Sequence, residues 1–122
     1  MESKLLGSLE QKIMCILWSA KKPMKPAEVL EELGGTYAYT TIMTELSRMT
    51  VKKLLKRKLV GKAYVYSPLC CKKSFVKTRL HKFFGNIVDI YGDLAISQFV
   101  DTLKKDPEDL KLLKKYLRKN HE

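Results

Sequence analysis

The hydrophobic periodicity of this chain switches from helical to strand-like and back, and that order limits the fold. Ser8 with Gln11 three residues later forms a capping-box pattern, and Leu9, Ile13, Ile16, Leu17 and Ala20 follow at helical spacing, predicting a helix over 8–20. Pro26 suits a first helical position ahead of Val29, Leu30 and Leu33, and Gly34-Gly35 stops that second helix. A third is expected over 38–53, with Thr36 as its cap and Tyr39, Ile42, Met43, Leu46 and Met49 turned inward. From Lys56 to Leu59 and Ala63 to Ser67 the residues become β-compatible, separated around Val60-Gly61-Lys62 and closed by Pro68. Three short helices followed by a basic hairpin is the order of a winged helix-turn-helix domain, with the second and third helices as the reading pair.

Beyond Pro68 helical spacing returns. Phe75, Leu80, Phe83, Phe84, Ile87, Val88 and Tyr91 supply one apolar side, interrupted by Gly85 and stopped near Gly92. Asp93 is placed to cap a helix carrying Leu94, Phe99, Val100 and Leu103. Asp106-Pro107-Glu108-Asp109 then starts a last helix with Leu110, Leu113, Tyr116 and Leu117. The expected fold is mainly α with a small β-hairpin wing, divided into a winged helix-turn-helix domain over 1–70 and a helical domain over 71–122. Three amphipathic helices of this size cannot bury so many large side chains alone, and a second copy of the chain is the simplest remedy.

Charge narrows the partner. The chain has 122 residues and a net charge of +11. From Leu46 to Val88 there is no acidic residue, while twelve Lys and Arg fall inside that window. Solvated faces mix both signs, so an unopposed block points to a polyanion. The apolar runs are too short for a signal peptide or membrane span, which predicts a cytoplasmic protein without membrane insertion. The odd number of cysteines, Cys15 with the adjacent Cys70 and Cys71, predicts reduced thiols.

On the third helix, Thr40, Thr41, Thr44, Ser47 and Arg48 face outward, and Thr-rich surfaces are unusual on a merely solvated helix. Hydroxyls bond phosphates and base edges, and Arg grips guanine or phosphate. Lys56, Arg57, Lys58 and Lys62 flank the hairpin turn, where cations meet phosphate, and at least one of Tyr64 and Tyr66 is expected to pack. Trp18 is expected in the core, and Tyr37 and Tyr39 leave a weak case for single-strand stacking. His81 and His121 stand outside any metal-spaced cluster and no phosphate-cradling glycine loop occurs, so neither an enzyme nor a cofactor is expected. Cys70-Cys71 reads mainly as small residues at a junction, with a thiol sensor or soft-metal site as the sharper alternative.

Gly7-Ser8-Leu9-Glu10 through Met14 and Leu17-Trp18, then Glu28-Val29, Ala38-Tyr39-Thr40-Thr41-Ile42 with Leu46 and Arg48, and Gly61-Lys62 with Tyr64-Val65-Tyr66-Ser67-Pro68 resemble the BlaI/MecI-type penicillinase repressor family. Tyr91-Gly92 before an apolar helix fits as well. The resemblance implies a homodimer repressing from a palindromic double-stranded DNA operator, the alternative being a nonspecific architectural or interaction module. It implies recognition through Tyr39, Thr40, Thr41, Thr44 and Arg48, with Lys62 on the DNA backbone. Dimerisation would fall to Phe83, Phe84, Ile87, Tyr91, Phe99, Val100, Leu103, Leu113 and Leu117.

A membrane sensor protease is the partner the family implies, yet its Asn-Phe cleavage pair is replaced by Asp101-Thr102. The copper-responsive branch uses a C-terminal Cys-x-Cys cluster, and no cysteine follows Cys71. Lys53 stands where relatives carry the glycine that ends helix three. The left-handed conformation costs Lys roughly 1 kcal/mol, so the helix is expected to run on or end differently.

Overall fold

The computed structural model describes residues 6–119, so His121 and the first five residues, read above for a leader, lie outside it. The architecture is mainly helical with one two-stranded antiparallel hairpin: α1 (Ser8–Ala20), α2 (Pro26–Glu32), α3 (Tyr39–Val51), β1 (Leu55–Val60), β2 (Ala63–Pro68), α4 (Lys72–Tyr91), α5 (Asp93–Lys104) and α6 (Pro107–Lys119). Two compact units divide between Leu80 and His81, inside α4.

In the first unit the inward faces of three helices and the hairpin meet in one core. Ile13, Met14 and Leu17 of α1, Val29 of α2, Ile42, Leu46 and Met49 of α3, and Leu55 and Tyr66 of the hairpin are all buried. Burying each large side chain stabilises by about 1.5–3 kcal/mol before the entropy of ordering it is subtracted. The hairpin register pairs Arg57 with Tyr66 and Leu59 with Tyr64, so these share the core-facing side, while Lys56 and Lys58 lie on the other with Ser67 and Val65. Gly61, with φ of 64°, opens the two-residue turn in the manner of a type II′ hairpin. Met24 exchanges both backbone hydrogen bonds with Tyr66 (2.9 and 2.8 Å) and so covers the free edge of β2. The start of α4 closes this unit: Phe75 is buried, and its ring lies 5.3 Å from that of the half-buried Trp18.

Several local expectations are corrected. The cap of α1 is Gly7 rather than Ser8, and its reciprocal partner is Glu10 rather than Gln11: the Gly7 N–H donates to Glu10 Oε1 at 2.9 Å. Glu10 is buried and also accepts from Lys52 Nζ at 2.7 Å, tying the start of α1 to the end of α3. The α3 cap is Ala38, not Thr36, and it supplies no side-chain bond. Gly92, not Asp93, caps α5, and α4 runs through Gly85 without a break. Tyr39 and Met43 point outward, 48% and 37% exposed, because they sit at the margins of the stripe centred on Ile42, Leu46 and Met49. Asp106 behaves as read, its carboxylate accepting from the Glu108 N–H at 2.9 Å.

Lys53 adopts the left-handed conformation after all, with φ of 65°. The Leu54 N–H donates back to Met49 O at 2.9 Å, the bond that closes a helix whose next residue turns left-handed. Tertiary packing overrides the local cost, because Leu54 and Leu55 must turn into the core immediately afterwards. Lys53→Gly is therefore expected to raise the unfolding free energy of this unit by about 0.5–1 kcal/mol, measured by denaturant titration.

The Glu10–Lys52 pair makes a second prediction. Burial raises the Glu10 pKa, but the Lys52 hydrogen bond, the Gly7 N–H and the Lys52 charge outweigh it and hold the carboxyl below its ordinary value. A group depressed in the folded state contributes stability above its unfolded pKa and loses it as pH falls through the folded one. Glu10→Gln is thus expected to cost about 1 kcal/mol at neutral pH. Its difference from the unmodified chain should shrink as pH drops below the carboxylate range, which parallel denaturation curves at several pH values will read.

Candidate nucleic-acid interface

The outward side of α3 is built by subtraction. Once Ile42, Leu46 and Met49 are committed to the core, a helical rotation of about 100° per residue leaves Thr40, Thr44, Ser47, Arg48 and Val51 on the far side, with Thr41 beside them. Thr40, Thr41, Thr44 and Arg48 are exposed, whereas Ser47 is half-buried. Glu45, the one acid on α3, is also half-buried, so the face offers hydroxyl donors and a guanidinium without an exposed carboxylate. Thr50 turns its hydroxyl back onto Leu46 O at 2.8 Å and is spent within the helix.

Sequence reading missed two residues here. Val51 is 82% exposed in the middle of the polar face, and Met43 joins it with Thr44, Ser47 and Arg48 around a shallow, mostly apolar depression. Val51 could have been found from its position opposite Ile42 on the helical wheel. Met43 could not, because a residue at the margin of an apolar stripe is turned in or out by its neighbours.

The wing divides its cations between two faces. Arg57 lies over the exposed Tyr64 ring, 4.2 Å from its centroid, which fixes both side chains on the Tyr66 side of the hairpin. Tyr66 packs and Tyr64 does not, as expected for at least one of them. Lys58 and Lys62 are exposed, Lys62 in the turn next to Gly61. Lys52, by contrast, has its ammonium held by Glu10, and this pairing pushes its pKa above the ordinary value.

The second unit presents a different surface. Among the described residues from His81 onward, none is buried. Phe84, Tyr91, Phe99 and Leu117 are exposed; Phe83, Ile87, Val100, Leu103 and Leu113 are half-buried. Phe84 packs against Phe99 at 5.6 Å between centroids and against Phe83 at 5.9 Å, yet none of the three rings is buried. Asp101 and Thr102 lie exposed within α5, where the Thr102 hydroxyl donates to Gln98 O at 2.8 Å. Among the described residues no helix is long and apolar enough to cross a membrane.

Comparison with known proteins adds three findings. Two curated proteins described as transcriptional regulator BlaI, from Mycobacterium tuberculosis strains CDC 1551 / Oshkosh and ATCC 25618 / H37Rv, are each 38% identical over 66 residues, covering 52% of this chain and 48% of theirs. The chain thus spans about half the length of the curated relatives it matches. A transcriptional regulator of Thermotoga maritima of known crystal structure aligns at 21% identity over 95% of this chain and 79% of its own, with a TM-score of 0.46. The penicillinase repressor family model matches residues 6–119, and the chain belongs to that family.

Proposed function

We propose that this protein is a sequence-specific DNA-binding repressor that occupies a palindromic operator as a homodimer in the cytoplasm. The observation that carries this reading is the exposed face of α3, with Thr40, Thr41, Thr44 and Arg48 outward and no exposed acid. Family membership and the naming of two relatives as transcriptional regulators support it. On this reading α3 enters the major groove, where Arg48 takes guanine or phosphate and the hydroxyls take base edges or backbone. Tyr39 and Ser47 stand at the edges of that contact. Met43 and Val51 supply apolar contact of the kind that thymine methyl groups offer. Arg57, Lys58 and Lys62 of the wing hold phosphates and set register without reading sequence.

The apolar residues left uncovered on the second unit support pairing of two chains. A helical unit in which none of the described residues is buried lacks a core of its own, and a partner copy supplies one. A two-fold dimer carries two α3 helices to half-sites one helical turn or a small multiple apart, which suits a palindrome. A sensor protease acting at Asp101-Thr102 would have to open α5 first, because that segment is helical and hydrogen-bonded.

The test is competition between the upstream DNA of the protein's own gene and random duplex across salt concentrations. A preference of roughly a thousandfold or more that persists at moderate salt supports the repressor. A ratio near one, with affinity collapsing as salt rises, marks a nonspecific basic module instead.

A further inference from the structure

One cavity of the first unit, about 1070 Å³, is lined by all three cysteines of the chain: Cys15 from α1, and Cys70 and Cys71 from the link between β2 and α4. Lys21, Lys22, Lys56, Lys58 and Lys72 line it as well and no acidic residue does; Arg57 borders it too, but its guanidinium lies over Tyr64 on the opposite face of the hairpin. Nucleophilic sulfur and a concentrated positive field therefore share one site, with Trp18 and Leu69 adding apolar wall. All three thiols are exposed. The Trp18 indole N–H donates to Cys70 O at 3.1 Å, anchoring the Cys70-Cys71 pair against α1.

Cys71 is the most reactive of the three on local grounds. It immediately precedes α4, and its carbonyl accepts the Phe75 N–H at 3.0 Å, so the residue sits at the positive end of the helix. Its Sγ lies 3.4 Å from Ser74 Oγ, and the Ser74 hydroxyl and backbone N–H beside the sulfur hold the thiol below its ordinary pKa. Among the described residues no three metal-ligating side chains converge, which favours thiol exchange over ion coordination.

We propose that this cavity is a site of reversible mixed-disulfide formation, at which Cys71 exchanges with the disulfide of an anionic low-mass thiol, and that the adduct weakens DNA binding. The Cys71 thiol gives its proton to water, and the thiolate attacks one sulfur of the incoming disulfide. A new S–S bond forms, and the other sulfur leaves as a thiolate with the bonding electron pair. One disulfide is consumed and one is made, with no further oxidant. The lysines concentrate the anionic reagent, and the adduct then sets negative charge beside Lys56 and Lys58 of the wing. The effect on DNA rests on the repressor reading above; the exchange itself does not.

The test compares oxidised glutathione, an anionic disulfide, with cystamine, a cationic one, on the full chain, following adducts by intact mass and peptide mapping. The anionic reagent is expected to react roughly tenfold faster or more, with the first adduct on Cys71. The gap should close at about 0.5 M salt and narrow in Lys21→Gln/Lys22→Gln. Cys71→Ser should lose the fast phase while Cys15→Ser and Cys70→Ser retain it. Equal rates for the two reagents, or a first adduct on Cys15 or Cys70, would overturn the site. In a separate arm, glutathione on Cys71 should lower duplex affinity roughly tenfold and reductant should restore it. Unchanged affinity of the fully loaded protein would overturn the regulatory half. Failure of the unmodified protein to bind DNA would remove both that half and the repressor reading, while the adduct rates still decide the site.

Discussion

Arg48→Ala is expected to lower the preference for operator over random duplex by about 1–3 kcal/mol, roughly five- to 150-fold, while binding to random duplex falls far less. The guanidinium stands on the exposed side of α3, within the set proposed to face the groove, and is the one side chain there able to make two parallel hydrogen bonds to a guanine edge. Thr41→Ala should act in the same direction and more weakly, since a hydroxyl offers a single neutral bond. Lys58→Ala provides the contrast. A lysine on phosphate contributes affinity without sequence information, so its loss should weaken both duplexes alike and reduce the salt slope by about one. Quantitative competition binding with the three variants separates these outcomes, and equal losses for all three would remove the case for readout by α3.

Phe99→Asp should produce the larger loss in absolute affinity. Phe99 is 47% exposed in the single chain, yet it belongs to the Phe83–Phe84–Phe99 cluster that a partner copy would cover. A carboxylate there would have to be desolvated without a compensating charge in any such interface. Sedimentation is expected to show a shift from dimer to monomer. Operator affinity should fall on the order of a hundredfold or more, because the second half-site is no longer held by the first. Leu117→Asp, at an exposed position of α6, should follow the same course. An unchanged oligomeric state in both variants would place the pairing surface elsewhere. Because both substitutions lie beyond the core of the first unit, its thermal unfolding serves as an internal check on folding.

Most of the fold is legible in the spacing of apolar residues. Ile42, Leu46 and Met49 recur on one helical stripe, and the β-compatible runs around Gly61 set a hairpin whose alternation puts Tyr64 and Tyr66 on one face, while packing alone decides that Tyr66 is the buried one. Such signals survive folding because burial of a whole face outweighs any single local preference. Legibility fails at the margins of those stripes and at element ends. Met43 lies beside the stripe, and only its neighbours turn it outward. Ser8 and Thr36 carry good capping side chains, but Gly7 and Ala38 hold the cap positions, since the packing angle of a helix decides where it begins.

The sequence by itself determined the order of helices and strands, the acid-free basic segment, and the polar composition of the α3 face, because periodicity and charge are properties of neighbours along the chain. Only the tertiary structure decided the rest. It bent Lys53 into a left-handed turn so that Leu54 and Leu55 reach the core, and it paired Lys52 with a buried Glu10 forty-two positions away. It also gathered Cys15 with Cys70 and Cys71 around one cationic cavity. These are contacts between residues distant in sequence, and no local pattern encodes which of them will meet.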